Sequence, residues 1–217
     1  MRTLTPLLAA LLLSSCTVEA KLTLSPGPTR ISADLSVPAA TRAAWANLRD
    51  LDSTLPADPL DPGLLQQGLG RGSEVTTTPR GASVAFEVSD LPKLVPTVTS
   101  TANSWEMTLD RASLRRLTSL TSWATSPALD SLLPAGDAKV TERDYRDLLV
   151  YLLGPGTTEA AAGALIDAST VQLTVVAPRP ILTAEGASTI TDRSAVYRWP
   201  LVKALALEKP LRVRVTF

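Results

Sequence analysis

Along this 217-residue chain the apolar residues switch repeatedly between strand and helix spacing, and no helix stands between every strand and the next. Ile31, Ala33, Leu35 and Val37 alternate with polar residues, as do Val84, Phe86 and Val88, and Trp105, Met107 and Leu109. Between them, Thr41, Ala44, Trp45, Leu48 and Leu51 fall on one face of a helix over 38–51, and Asp61-Pro62 starts a second that ends near Gly70. Asp110 is placed to cap a third helix. Thr141 and Asp144 have the spacing of a capping box, ahead of a stripe made by Tyr145, Leu148, Leu149 and Leu152. An Ala-rich helix follows over 158–167, and its small residues suit close packing against a neighbour. From Thr170 the period returns to two, with Val171, Leu173 and Val175, then 195–199, then 211–217 around an apolar segment at 201–207. A doubly wound parallel sheet needs a crossover helix after each strand. The order here predicts an α+β fold instead, with one largely antiparallel sheet of about seven or eight strands and helices packed on one face.

The chain begins with Met1-Arg2 and a Leu/Ala run from Leu4 to Leu13. The run is far short of the ~20 apolar residues that span a bilayer. A basic start, a short apolar run and small residues after it make a secretory signal peptide. Those small residues lead to Cys16, the chain's one cysteine. Leu13-Ser14-Ser15-Cys16 resembles the lipobox of bacterial lipoproteins, which are cut before the Cys after its thiol is lipidated. The resemblance implies a signal peptide over 1–15, a lipidated tether over 16–20 and a single extracytoplasmic domain over 21–217. It also implies fatty acyl chains such as palmitate on Cys16, and two or more chains hold a protein firmly to a membrane where one does not. Thr17 stands where Gram-negative lipoproteins retained in the inner membrane commonly carry Asp, so the outer membrane is favoured if the source has one.

Several kinds of chemistry are made improbable by composition. The chain has no histidine, so the usual general base, triad member and metal ligand are missing. Lipidation of Cys16 would leave no thiol for redox chemistry or metal binding. None of Lys21, Lys93, Lys139, Lys203 and Lys209 lies in a Ser-x-x-Lys motif. The carboxylates Glu142, Asp144 and Asp147 sit at a helix start, where the dipole favours them. Gly68-Leu69-Gly70-Arg71-Gly72 lacks the strand-to-helix setting and the Lys-Ser/Thr of a phosphate loop. Twenty-one basic residues balance twenty-one acidic ones, which gives no electrostatic case for nucleic acid. No enzyme, no metal and no cofactor beyond the covalent lipid is expected.

The last third carries Ala177-Pro178-Arg179-Pro180, then Ala184-Glu185-Gly186, then Val196-Tyr197-Arg198-Trp199 before a closing strand. It is similar to the ending of LppM-type bacterial lipoproteins, which show strand, Pro-Gly turn, glycine and an aromatic before the last strand. This chain has Pro-Arg-Pro in place of Pro-Gly, and it ends at Phe217 where members often continue into a transmembrane helix. The resemblance implies an extracytoplasmic α/β domain likened to lipid-binding proteins. It implies no functional residues.

The expected function is therefore recognition by a membrane-anchored envelope lipoprotein that binds an apolar ligand or lipid close to the bilayer. The alternative is an interaction or scaffold module with an envelope protein partner. Trp45, Trp105, Trp123, Trp199 and Tyr145 are the candidates for lining an apolar pocket, and each also suits a plain core position. Arg111, Arg115 and Arg116 lie on one helix flank, available to lipid headgroups or simply solvated.

Overall fold

The computed structural model describes residues 17–25, 28–36, 63, 66, 73–79, 81–88, 97–113, 140–153 and 158–217. The expected helix over 38–51, the helix over 61–70 apart from Gly63 and Gln66, which are helical, most of the helix after Asp110, and Cys16, Trp45, Trp123, Arg115 and Arg116 lie outside them.

Eleven strands and three helices follow one another among the described residues. Strands β1 (Thr17–Thr23) and β2 (Thr29–Ser36) form one hairpin, and β3 (Glu74–Thr78) and β4 (Gly81–Val88) a second. Next come β5 (Val98–Ser100) and β6 (Ser104–Leu109), then helices α1 (Glu142–Leu153) and α2 (Glu159–Ala168). Strands β7 (Thr170–Val176), β8 (Thr183–Glu185), β9 (Thr189–Ile190) and β10 (Ser194–Pro200) lead into α3 (Leu201–Ala206) and β11 (Leu211–Thr216). Gly186 makes the turn after β8 at a φ of +77°, which a side chain would resist.

The fold is α+β, but its strands are divided between two sheets rather than joined in one. A seven-stranded sheet runs β3-β4-β2-β1-β7-β10-β9, and a four-stranded sheet runs β5-β6-β11-β8. All pairs are antiparallel except β1 with β7. The division follows from two-residue alternation. Leu211, Val213 and Val215 of β11 are buried while Arg212 and Arg214 are exposed, so β11 offers one apolar face to the other sheet. Leu173 and Val175 of β7 and Ala195 and Tyr197 of β10 answer from the seven-stranded side, with Trp105 of β6 in the same core. Burying one Leu- or Val-sized side chain stabilises the fold by about 1.5–3 kcal/mol. The Tyr197 hydroxyl donates a 2.8 Å hydrogen bond to the carbonyl of Arg214 and so ties the sheets together across that core.

The helices gather at one end of the sheets. Tyr145 and Leu149 of α1, Ala162 and Ile166 of α2, and Val202 and Ala206 of α3 form a separate apolar cluster. The expected α1 stripe is shifted: Leu148 is 42% exposed, and Val150 is buried in its place. Thr141 and Asp144 close the capping box, with Thr141 N–H on Asp144 Oδ2 at 3.1 Å and Asp144 N–H on Thr141 Oγ1 at 3.1 Å. Asp110 accepts from Ser113 N–H at 2.7 Å and caps the helical turn that begins at Arg111.

β1 begins at Thr17, so residues 17–20, expected as a tether, are paired in the sheet instead. Val18, Glu19 and Ala20 pair with β2 on one side, and all four pair on the other with β7, more than a hundred residues away, which no local pattern announces.

Candidate functional site

A row of three residues fixes the helical end. Thr17 of β1 lies beside Thr170 of β7, and Thr170 lies beside Pro200 of β10. Strands stand about 4.8 Å apart, which puts Thr17 about 10 Å from Pro200. Pro200 is the cap of α3, and Leu201 N–H donates to the carbonyl of Ser169, just past the end of α2, at 2.9 Å.

Beside this row is an open cleft of about 400 Å³. Trp199, Pro210 and Leu211 supply its apolar lining, and Lys203, Lys209, Arg212, Glu142 and Glu208 its charges. Each is placed by a nameable feature. Trp199 is the last residue but one of β10 and stacks on Tyr197, with ring centroids 5.9 Å apart and planes 18° from parallel. Lys203 stands in the last turn of α3, where a cation faces the negative end of the helix dipole. Leu207 ends α3 in the left-handed region, at φ 44°, and turns the chain so that Glu208 and Lys209 project at the rim. Leu207 tolerates that conformation because its side chain is buried against Ala204 and Leu211. The Glu208 carboxylate accepts from Glu142 N–H at 3.0 Å, at the first turn of α1. The cleft therefore offers separated cationic and anionic groups above a flat aromatic surface, which suits a polar group of mixed charge joined to apolar substance.

The aromatic residues singled out from sequence are not brought into one pocket. Trp105 is 2% exposed, packed between the two sheets. Tyr145 is fully buried in the helical cluster, and burial pushes its phenol well up. Trp199 alone of the described candidates reaches the cleft. Trp45, Trp123 and Cys16 lie outside the described residues.

Arg111 is not a solvated flank residue. It is half-buried, and its guanidinium donates to the carbonyl of Ala206 at 2.8 Å and to that of Val140 at 2.8 Å. It thereby joins the end of β6 to α3 and to the approach to α1. Sequence reading missed Lys203, Glu208, Lys209 and Arg212 as site residues. The one available signal was the density of charge in Glu208-Lys209-Pro210-Leu211-Arg212 directly after an apolar segment.

These features define a two-sheet α+β domain with a helical end and a polar-rimmed cleft between the end of β10, α3 and the start of β11. No protein-family model matches the chain. No curated protein matches it in sequence. Among solved structures it is similar to the folded domain of Mycobacterium tuberculosis LppM, determined by NMR. The two share 13% identity at a TM-score of 0.41, over 94% of this chain and 91% of that one. A likeness of that strength bears on neither ligand nor activity. No helix among the described residues is long and apolar enough to cross a membrane.

Proposed function

We propose that this protein is an envelope lipoprotein, held at a bilayer by acyl chains on Cys16, whose cleft recognises a lipid by its headgroup. What carries the reading is the row Thr17, Thr170, Pro200, which brings the residue after Cys16 to the same end of the molecule as the cleft. Thr17 lies about 10 Å from Pro200, which adjoins the cleft residue Trp199, so a ligand set in the membrane surface and the cleft need no long tether to meet. Lys203, Lys209 and Arg212 suit a phosphate, Glu142 and Glu208 suit an amine, and Trp199 with Leu211 suits the glycerol and upper acyl carbons. A zwitterionic phospholipid headgroup satisfies all three. An acyl chain swallowed between the sheets is disfavoured, since Trp105, Val175, Tyr197, Val213 and Val215 fill that interior. No catalytic step is assigned, and Glu208 is engaged as a hydrogen-bond acceptor at the start of α1.

The test is native mass spectrometry of residues 17–217 purified from a bacterial host, with binding to phosphatidylethanolamine in nanodiscs measured alongside. Bound phospholipid is expected, lost at least tenfold in a Trp199→Ala, Arg212→Glu double variant. A lipid-free protein that ignores the nanodiscs would overturn the reading.

A second reading is an interaction module in an envelope complex. It is favoured by the filled core and by Leu182 and Ile190, 76% and 50% exposed at the end of the sheets away from the helices. Crosslinking in intact cells through those two positions would recover a partner protein, and a lack of any adduct would count against it.

A further inference from the structure

We infer that the cleft selects a primary ammonium over a methylated one, and that Glu208 is the residue that makes the choice. The inference rests on the headgroup reading above and deepens it, from a zwitterionic phospholipid in general to the ethanolamine headgroup in particular.

The charges of the cleft are left unneutralised. Lys203, Lys209 and Arg212 line it together with Glu142 and Glu208. Among the described residues none of these cations forms an ion pair with either carboxylate. Charge that the protein does not pair internally stays available to a ligand that carries both signs.

The two carboxylates are not equivalent. Glu142 is the first residue of α1. Glu208 follows the left-handed Leu207 at the end of α3, and its Oε2 accepts from Glu142 N–H at 3.0 Å. That N–H stands at the positive end of the α1 dipole, which favours a carboxylate there. The bond fixes the Glu208 side chain between α3 and α1 before any ligand arrives. Its Oε1 takes no hydrogen bond among the described residues. A carboxylate held by one oxygen and open at the other is a ready acceptor, and it has little freedom left to lose on binding.

The donor count of the ligand then decides. A primary ammonium carries three N–H donors, so it can give one to Glu208 Oε1 and still reach Glu142 or water. A trimethylammonium has no donor to give. Its recognition depends on aromatic faces set around it. Trp199 is the one aromatic among the described residues of the cleft, and it is already stacked on Tyr197. Methyl groups also hold the positive charge away from the carboxylate oxygen, which weakens the attraction. A serine headgroup keeps the ammonium but sets a carboxylate beside it, which Glu142 and Glu208 repel. The ethanolamine headgroup alone of the three meets the glutamates with donors only and leaves its phosphate to the unpaired cations.

The experiment gives the full-length protein, in detergent, an equimolar mixture of lipids with the same acyl chains. These are phosphatidylethanolamine, its N-methyl and N,N-dimethyl forms, phosphatidylcholine and phosphatidylserine, and bound lipid is read by native mass spectrometry. Bound phosphatidylethanolamine is expected to exceed phosphatidylcholine at least about tenfold, the lower end for one hydrogen bond to a charged group. The methylated forms fall between them in order. Glu208→Gln keeps an amide oxygen for Glu142 N–H, so the start of α1 stays satisfied while the charge is lost. It is expected to bring the two lipids level and leave phosphatidylcholine binding unchanged. Wild-type binding without preference would overturn the selection and leave the headgroup reading intact. A preference that survives Glu208→Gln would overturn the assignment to Glu208. A protein that carries no lipid of any kind would remove the headgroup reading, and the selection with it.

Discussion

Arg146 of α1 grips Asp167 of α2 with two parallel hydrogen bonds, Nε to Oδ1 and Nη2 to Oδ2, both 2.8 Å. To do so its guanidinium passes directly over Gly163. A Cβ at that position would lie 2.7 Å from Arg146 Nη2. The helix thus keeps a glycine at its middle, where alanine would otherwise stabilise it by about 0.8–1.0 kcal/mol. Gly163→Ala is expected to gain nothing in the native background, because the added methyl displaces Arg146. The same change in an Arg146→Met background should recover most of the propensity gain. Urea unfolding of the four proteins in this cycle checks it, and equal gains in both backgrounds would show that the glycine is not there for Arg146.

Arg111 ties three segments together through the carbonyls of Ala206 and Val140. Hydrogen bonds from a charged donor contribute about 1.5–3 kcal/mol each. Arg111→Met, which removes both, should lower unfolding stability by about 3–6 kcal/mol. Arg111→Lys should restore only part, since an ammonium cannot direct two donors along a planar fork. A chemical denaturation series on the three proteins measures both steps, and a Lys variant equal to wild type would contradict the fork geometry.

Leu207 trades backbone strain for burial. The left-handed region costs a side-chain-bearing residue about 1–2 kcal/mol, whereas truncating a buried Leu to Ala costs about 2–5 kcal/mol. Leu207→Ala keeps the strain and loses the packing. Leu207→Gly loses the packing but relieves the strain, at some gain in unfolded-chain freedom. Both variants should be less stable than wild type, with Gly above Ala by roughly 0.5–1 kcal/mol. Thermal unfolding orders them, and an Ala variant above the Gly variant would refute this reading of α3's end.

Stability should fall at both extremes of pH, for different groups. The Ser113 hydroxyl and N–H hold the Asp110 carboxyl below its usual range, the Thr141 hydroxyl does so for Asp144, and the Arg146 guanidinium for Asp167. Such carboxylates contribute stability above the unfolded-state value of about 3.9, and lose it as pH falls through their lowered folded values. Tyr197 runs the other way. Burial raises its phenol to about 12, and burial raises Tyr145 as well. Neutral phenols contribute in full below about pH 10, and that contribution disappears as pH rises toward 12 and beyond. Urea midpoints should stay level through neutral pH, drop below about pH 4, and drop again above about pH 10. A level midpoint from pH 10 to 12 would contradict the buried state of Tyr197.

Local features of this fold were legible in the sequence, and long-range ones were not. The Thr141–Asp144 capping box, the Asp110 cap, the Glu185-Gly186 turn and the alternation of Leu173 with Val175 each involve residues within a few positions of one another. The partition into two sheets depends on β1 choosing β7 and on β11 choosing β6, pairings set by which apolar faces meet in three dimensions. β8 is three residues long and gives no periodic signal. Arg111 read as a solvated residue because Arg115 and Arg116 share its neighbourhood in sequence, while its carbonyl partners are 29 and 95 residues away. The cleft was illegible for the same reason. Glu142 and Glu208 meet only because α1 starts where α3 ends.

The most direct measurement is metabolic labelling with radioactive palmitate of cells that produce the wild-type protein or Cys16→Ser. Label in the wild-type band, absent from the variant, together with flotation of the wild type alone on membranes, is the expected result. A wild-type protein that is secreted unlabelled, with the Cys16 thiol still reactive, would contradict anchoring and every inference drawn from the position of Thr17.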